Sequence, residues 1–244
     1  MNPQRRRPGL SDVLRTLLAI AVIFPPLLTG LVVLVVTRDR RRAINHTLAC
    51  WGKIGPPSAG MRLDVHGGEH LAAARPAVFL INHRSGIDPL IVVALLRRDF
   101  VAVAKQEIRN NPVFGPAFAF AGVVFVDRTN PAPDALVPAV SALRAGLSIA
   151  IAPEGTRGSR DAVLGQFRSG AFRIAMAARV PVVPIVIHNS DAVLPRRALV
   201  MTPAVVRIDV LPPVSTREWE ADRLDECIDE VRNRFRRTLE AGAA

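Results

Sequence analysis

The chain has 244 residues and a formal net charge of +11, from 32 basic and 21 acidic side chains. That length is enough for one full-sized domain with a short appendage. With 50% hydrophobic residues, 5% aromatics and no tyrosine, the core must be built from Ala, Val, Leu and Ile, which suits an α/β protein better than an aromatic-rich β-sandwich. Cys50 and Cys227 are far apart, with no CxxC spacing, so neither a disulfide framework nor a zinc site is expected. The five histidines are scattered without an HExxH pattern, and no metal cofactor is expected.

The positive balance favours an anionic partner: nucleic acid, an anionic membrane surface or a phosphorylated substrate. Arginine placement bears on the choice. Arg5, Arg6, Arg7 and Arg15 precede the uncharged stretch LLAIAVIFPPLLTGLVVLVV, residues 17–36, and Arg38, Arg40, Arg41 and Arg42 follow it. This stretch has about the 20 apolar residues needed to cross a bilayer. Pro25 and Pro26 sit near its middle and break it into two pieces, each rising only about 12–15 Å as a helix. With basic flanks at both ends, a membrane-embedded hairpin returning to its starting side is preferred to a single span. Residues 1–43 are read as the membrane-anchoring segment and 44–244 as the main domain.

Residues 39–60 read as helical and then loop-like, ending at GPPSAG. Short strands follow at 62–67, 76–81, 100–104, 123–127, 147–152, 182–187 and 205–210, mostly rich in β-branched residues. Helical stretches lie between them at 88–98, 133–146 and 169–180. The alternation predicts an α/β fold with a central, largely parallel or mixed sheet flanked by helices and preceded by the N-terminal membrane-embedded helical segment. Ser215, three residues before Glu218, suggests a reciprocal cap opening the last helix. Leu224, Ile228, Val231, Phe235 and Leu239 give that helix one apolar face. Six acidic residues interrupt its arginines, and no nucleic-acid reader motif is present, so no nucleic-acid partner is expected.

Four elements carry chemistry. In NHRSGIDPL, residues 82–90, His83 stands just past a strand end, where ligand crevices of α/β domains form. Its imidazole can accept a proton, and a carboxylate such as Asp88 can fix its tautomer; Asp88 can equally be a helix N-cap. In APEGTRGS, residues 152–159, Gly155 permits a tight turn and Arg157 offers a fork for phosphate oxygens, though a solvent-facing arginine on a structural turn has the same pattern. GVVFVDR, residues 122–128, ends on Arg128, which can share that phosphate or belong to a surface turn. In RVPVVPIVI, residues 179–187, Pro181 is tolerable at a strand start, and Pro184 is expected at an edge or irregular ladder position. There is no Walker A loop, Gly-rich dinucleotide turn or G-x-S-x-G elbow.

Together NHRSGID, GVVFVDR, PEGTR and VPVVP resemble, in content and order, the four blocks of the bacterial 1-acylglycerol-3-phosphate acyltransferases, the PlsC family of glycerophospholipid acyltransferases. KQEIRNNPVFG, with Lys105, and FRSGA at 167–171 are similar to that family too. Ala152 replaces the usual Phe before PEGTR, a change in an apolar wall rather than in the polar set. The resemblance implies acyl transfer from acyl-CoA or acyl-carrier protein to the 2-hydroxyl of lysophosphatidic acid, giving phosphatidic acid, with no cofactor. It implies His83 as general base oriented by Asp88, without a covalent acyl-enzyme. Arg128, Glu154, Gly155, Thr156 and Arg157 then form the acceptor-phosphate region, and Asn82, Ser85, Lys105, Pro181 and Pro184 support the site wall. The expected partners are membrane phospholipids and these substrates, at the inner or plasma membrane with the catalytic domain facing the cytoplasm. A different lysophospholipid or an aminolipid acceptor, or a non-catalytic lipid-binding role, are the competing readings.

Overall fold

The computed structural model describes residues 9–110, 114–126, 136–155 and 164–242. Its strands are β1 (Met61–His66), β2 (Val78–Ile81), β3 (Phe100–Lys105), β4 (Val124–Val126), β5 (Ser148–Ile151), β6 (Val182–Ile187) and β7 (Ala204–Val210). They form one seven-stranded sheet in the order β1-β7-β6-β2-β5-β3-β4. The β2–β5, β2–β6, β3–β5 and β3–β4 pairs are parallel and β6–β7 is antiparallel, so the largely parallel, mixed sheet expected from the alternation is present. The chain divides into two compact units. The first comprises the chain up to Asp64 with Arg84–Arg98 and Asn189–Arg207; the second comprises Val65–His83, Asp99–His188 and the chain from Ile208 onward.

The first unit contains α1 (Leu10–Ala21), α2 (Phe24–Thr37), α3 (Arg40–Ser58) and α5 (Asp88–Leu96). Val22 and Ile23, between α1 and α2, both keep right-handed helical backbone angles. The apolar stretch is therefore a helical run interrupted only by the turn at Val22 and Ile23, and the expected hairpin at the prolines is not formed. Phe24 opens α2, so Pro25 and Pro26 fall in its first turn, where amide N–H groups have no intrahelical acceptor and their loss costs little. Side chains of α3 hold this junction: Trp51 Nε1 donates to Ile23 O at 2.9 Å and Thr47 Oγ1 to Pro26 O at 3.2 Å. Gly30 lets α2 approach, since an added Cβ would clash with the Thr47 hydroxyl.

The helix α3 runs on through Pro56 and Pro57, where the sequence pattern suggested a loop. Packing against α5 explains this: a Cβ at Gly52 would lie 2.8 Å from Val93 O, so the glycine-lined end of α3 sits backbone to backbone on its neighbour. Close packing outweighs the weak helix propensity of the segment.

The second unit holds α4 (His70–Ala73), α6 (Gln106–Arg109), α7 (Phe114–Phe120), α8 (Val137–Arg144), α9 (Gly170–Ala178) and α10 (Leu224–Ala241). Its core joins one sheet face, Val78, Leu80, Ile149, Val182 and Val186, to Phe172 and Ile174 of α9 and to Leu224, Ile228, Val231, Phe235 and Leu239 of α10. The predicted apolar stripe of α10 is thus the buried face. Its predicted start is not observed, because α10 begins at Leu224. Val214 is bridged to Val182, and Ser215 Oγ accepts from Arg217 N two residues on, so the serine closes a local turn instead of capping a helix.

Pro184 lies inside β6, between β2 and β7, so of the two positions expected it is not at an edge but at an irregular place in the ladder, where the pairing slips by one residue between Ile185–Val210 and Val182–Val214. Its register partner on the antiparallel side is Leu211, just past the end of β7, and Leu211 N donates to Pro184 O at 2.9 Å. The proline forfeits only the reciprocal bond of this terminal pair, while its carbonyl stays satisfied.

Candidate functional site

Beyond the last residue of β2, Asn82 continues the sheet with its side chain. Asn82 Nδ2 donates to Ile187 O at 2.8 Å, and Asn82 Oδ1 accepts from Ile187 N at 2.7 Å. This two-point clasp fixes the place where His83 leaves the strand. The half-buried His83 is held again through its backbone, whose amide donates to Glu154 Oε1 at 2.9 Å.

Glu154 stands on the turn after β5, closed by Gly155 N donating to Ala152 O at 3.1 Å. Gly155 has φ +74°, in the left-handed region that glycine enters without steric cost. The second oxygen, Glu154 Oε2, accepts from Gly165 N at 2.7 Å. With 7% of its surface exposed, Glu154 spends both oxygens on backbone amides. It acts as a brace between His83 and residue 165, a different use of the carboxylate from contacting an acceptor phosphate. A Cβ at Gly165 would stand 2.6 Å from Glu154 Oε2, and Arg232 Nε of α10 donates to Gly165 O at 3.0 Å. Gly165 and Arg232 carry no local sequence signal; only the fold brings them to Glu154.

Within the first unit, Arg84 to Asp88 form a tight turn. Asp88 Oδ2 accepts from Arg84 N at 2.8 Å and Ser85 N at 2.9 Å, and Asp88 is 0% exposed. These amides lie behind it in the chain, whereas a helix N-cap accepts from amides ahead of it; the N-cap of α5 is Ile87. The carboxylate thus closes the turn that directly follows His83. Ser85, also 0% exposed, donates from Oγ to Leu194 O at 2.6 Å and accepts from Ile87 N at 3.3 Å, a local hydrogen-bonding role. Arg84 Nε faces Asp191 Oδ1 at 3.6 Å.

Of the remaining predicted residues, Pro181 directly precedes β6 and its carbonyl accepts from Val78 N at 3.0 Å. Lys105 ends β3 opposite Val126; its side chain lies outside the described residues, as do Arg128, Thr156 and Arg157. Among the described residues no group of three or more His, Cys, Asp and Glu is arranged to hold a metal ion. In the second unit, His83 at the end of a parallel strand has its backbone braced by the buried Glu154 carboxylate. In the first unit, the buried Asp88 carboxylate closes the turn that follows in the chain.

The acyltransferase family profile matches residues 62–188, which include His83, Asp88 and Glu154. The chain belongs to the acyltransferase family. It is 30% identical over 186 residues to a 1-acyl-sn-glycerol-3-phosphate acyltransferase of Limnanthes douglasii, covering 75% of this chain and 65% of that protein. It is 32% identical over 177 residues to the human 1-acyl-sn-glycerol-3-phosphate acyltransferase alpha, covering 71% of this chain and 62% of the relative. The chain thus spans somewhat less than two thirds of the length of these relatives. In fold, this acyltransferase superposes on the crystal structure of the 1-acyl-sn-glycerophosphate acyltransferase PlsC from Thermotoga maritima with a TM-score of 0.76, over 95% of this chain and 97% of that one, at 24% identity.

Proposed function

We propose that this acyltransferase transfers an acyl group from acyl-CoA or acyl-carrier protein to the 2-hydroxyl of lysophosphatidic acid, forming phosphatidic acid. The observation that carries this reading is the doubly held His83, clasped through Asn82 and Glu154 and followed at once by the turn that Asp88 closes. His83 takes the hydroxyl proton as the acceptor oxygen attacks the thioester carbonyl. The carbon–sulfur bond then breaks, and the imidazolium returns its proton to the departing thiolate. Asp88 orients the imidazole and stabilises its charged form. No acyl-enzyme is needed, since the hydroxyl itself is the nucleophile. Arg128, Thr156 and Arg157 contact the acceptor phosphate, with Gly155 shaping their turn.

The anchoring segment, residues 1–43, supplies the second half of the proposal, with 44–244 as the catalytic domain. The run Leu10–Thr37 has 28 residues, and only 11% of its most apolar window is buried inside the protein. Outward Leu14, Leu17, Leu28, Leu31, Val32 and Val35 are exposed. Such a surface belongs in lipid at the inner or plasma membrane, where lysolipid and product keep their chains out of water. The basic flanks put the catalytic domain on the cytoplasmic side.

The test is phosphatidic acid formation by purified protein in liposomes with palmitoyl-CoA and lysophosphatidic acid, beside His83→Ala. Parent turnover with a loss of roughly 10²–10⁴-fold in the folded variant is expected. Full activity of His83→Ala removes the general-base assignment. Turnover confined to another lysolipid or an aminolipid moves the enzyme to a different acceptor.

A further inference from the structure

In the first unit, the chain between Val193 and Thr202 leaves and returns as a compact loop. Its neck is closed by Thr202 N donating to Val193 O at 2.9 Å and by Thr202 Oγ1 donating to Ala192 O at 2.8 Å. At its crown Ala198 N donates to Pro195 O at 2.9 Å, closing a turn around Arg196 and Arg197. Arg197 has φ +67°, a left-handed conformation that a glycine would adopt more easily. Both arginines are exposed, and Leu199 beside them is 88% exposed. A large aliphatic side chain held almost wholly in water on an ordered loop gains nothing from this fold.

Two sets of contacts say what the loop serves. On one side Met201 N donates to Thr16 Oγ1 of α1 at 2.8 Å, which fixes the loop to the buried polar face of the helix whose opposite face is exposed Leu14, Leu17 and Leu18. On the other, Leu194 O accepts the Ser85 hydroxyl at 2.6 Å, and Asp191, in the turn just before the loop, faces Arg84 Nε with Oδ1 at 3.6 Å. The loop therefore bridges the apolar helix and the turn that follows His83. An exposed leucine flanked by arginines has the chemistry of a lipid interface, with apolar matter entering the acyl boundary and guanidinium groups taking lipid phosphates.

Resting on the membrane reading above, we propose that the 193–202 loop is a second membrane contact, separate from the N-terminal helices, whose partner is an anionic phospholipid surface. Leu199 enters the bilayer, and Arg196 and Arg197 bind phosphates of neighbouring lipids. The Ser85–Leu194 bond ties the 84–88 turn to that surface.

The experiment uses full-length protein in liposomes of phosphatidylglycerol and phosphatidylcholine, with Leu199→Trp compared with the parent, whose Trp51 and Trp219 give the background. Insertion predicts added tryptophan emission that is blue-shifted and quenched by brominated lipid. Arg196→Gln and Arg197→Gln, each in the Leu199→Trp background, should each weaken the anion-dependent insertion roughly fivefold, the equivalent of about 1 kcal/mol per arginine near the surface. Leu199→Asp should lower turnover on bilayer-embedded acceptor while sparing dispersed short-chain acceptor. Water-like, unquenched emission from Trp at 199 overturns the proposal. Quenching that is unchanged in pure phosphatidylcholine overturns the role of the arginines. Co-flotation of the same protein with the liposomes reads the N-terminal attachment separately, so bound protein with unquenched Trp at 199 sinks the loop assignment alone, whereas unbound protein sinks the membrane reading on which it rests.

Discussion

The Glu154 carboxylate is one of the two holds on His83, beside the Asn82 clasp. Glu154 accepts from the amides of His83 and Gly165, so Glu154→Gln keeps one acceptor but turns an N–H toward the other donor. Leaving one such amide unsatisfied costs about 1–3 kcal/mol, read as a lower denaturant midpoint at unchanged slope. Because the first consequence is a shift of the His83 backbone, kcat should fall roughly tenfold to a hundredfold with KM little changed. A rise in KM at constant kcat would instead place Glu154 against the acceptor. Gly165→Ala should move activity in the same direction, because its Cβ would press on Glu154 Oε2. The sequence block showed the glutamate but not its use, since the partner at Gly165 is eleven residues away and is itself fixed by Arg232 of α10.

Among the elements, those with a repeating apolar pattern were legible and those set by close packing were not. The α10 stripe was readable because five apolar residues recur at helical spacing, and all five are buried. Phe235 meets Phe167 edge to face at a centroid distance of 5.3 Å, so Phe235→Ala should lower stability by about 3–5 kcal/mol in chemical denaturation. The helix start was misplaced because Ser215 and Glu218 have capping chemistry while Val214 is held in a bridge to β6. The end of α3 was equally hidden: Pro56 and Pro57 signal a stop, and only contact with α5 through Gly52 overrides it. At the N-terminal run the prolines marked an interruption, but the hairpin they suggested is not formed, because they fall in the first turn of α2, where missing N–H groups cost little. On α10 the Cys227 thiol also has a local environment: burial first, then Glu230, raises its pKa. Less thiolate is then present at neutral pH, so iodoacetamide should modify Cys227 more slowly than an open peptide thiol, with the rate climbing only as pH passes the ordinary thiol range.

At the scale of the whole molecule, net charge and apolar surface act together. The N-terminal run turns its polar groups inward, where Asp12 and Thr16 are buried and Trp51 and Thr47 bond to the carbonyls of Ile23 and Pro26, and turns leucine and valine outward. This inverts the usual arrangement of a water-soluble domain, and it separates two kinds of substitution. Leu31→Asp changes an outward residue, so the packing of α2 on α3 is untouched, while a charge carried into the bilayer costs about 2.5–3.5 kcal/mol. The expected result is protein of unchanged thermal stability in detergent that alkaline carbonate releases from liposomes more readily than the parent. Trp51→Phe should do the reverse: it removes the donor to Ile23 O, lowering stability in detergent while leaving the lipid-facing surface intact. If Leu31→Asp resists extraction as the parent does, the outward face of α2 does not lie in lipid, and the +11 charge would have to account for membrane binding without it.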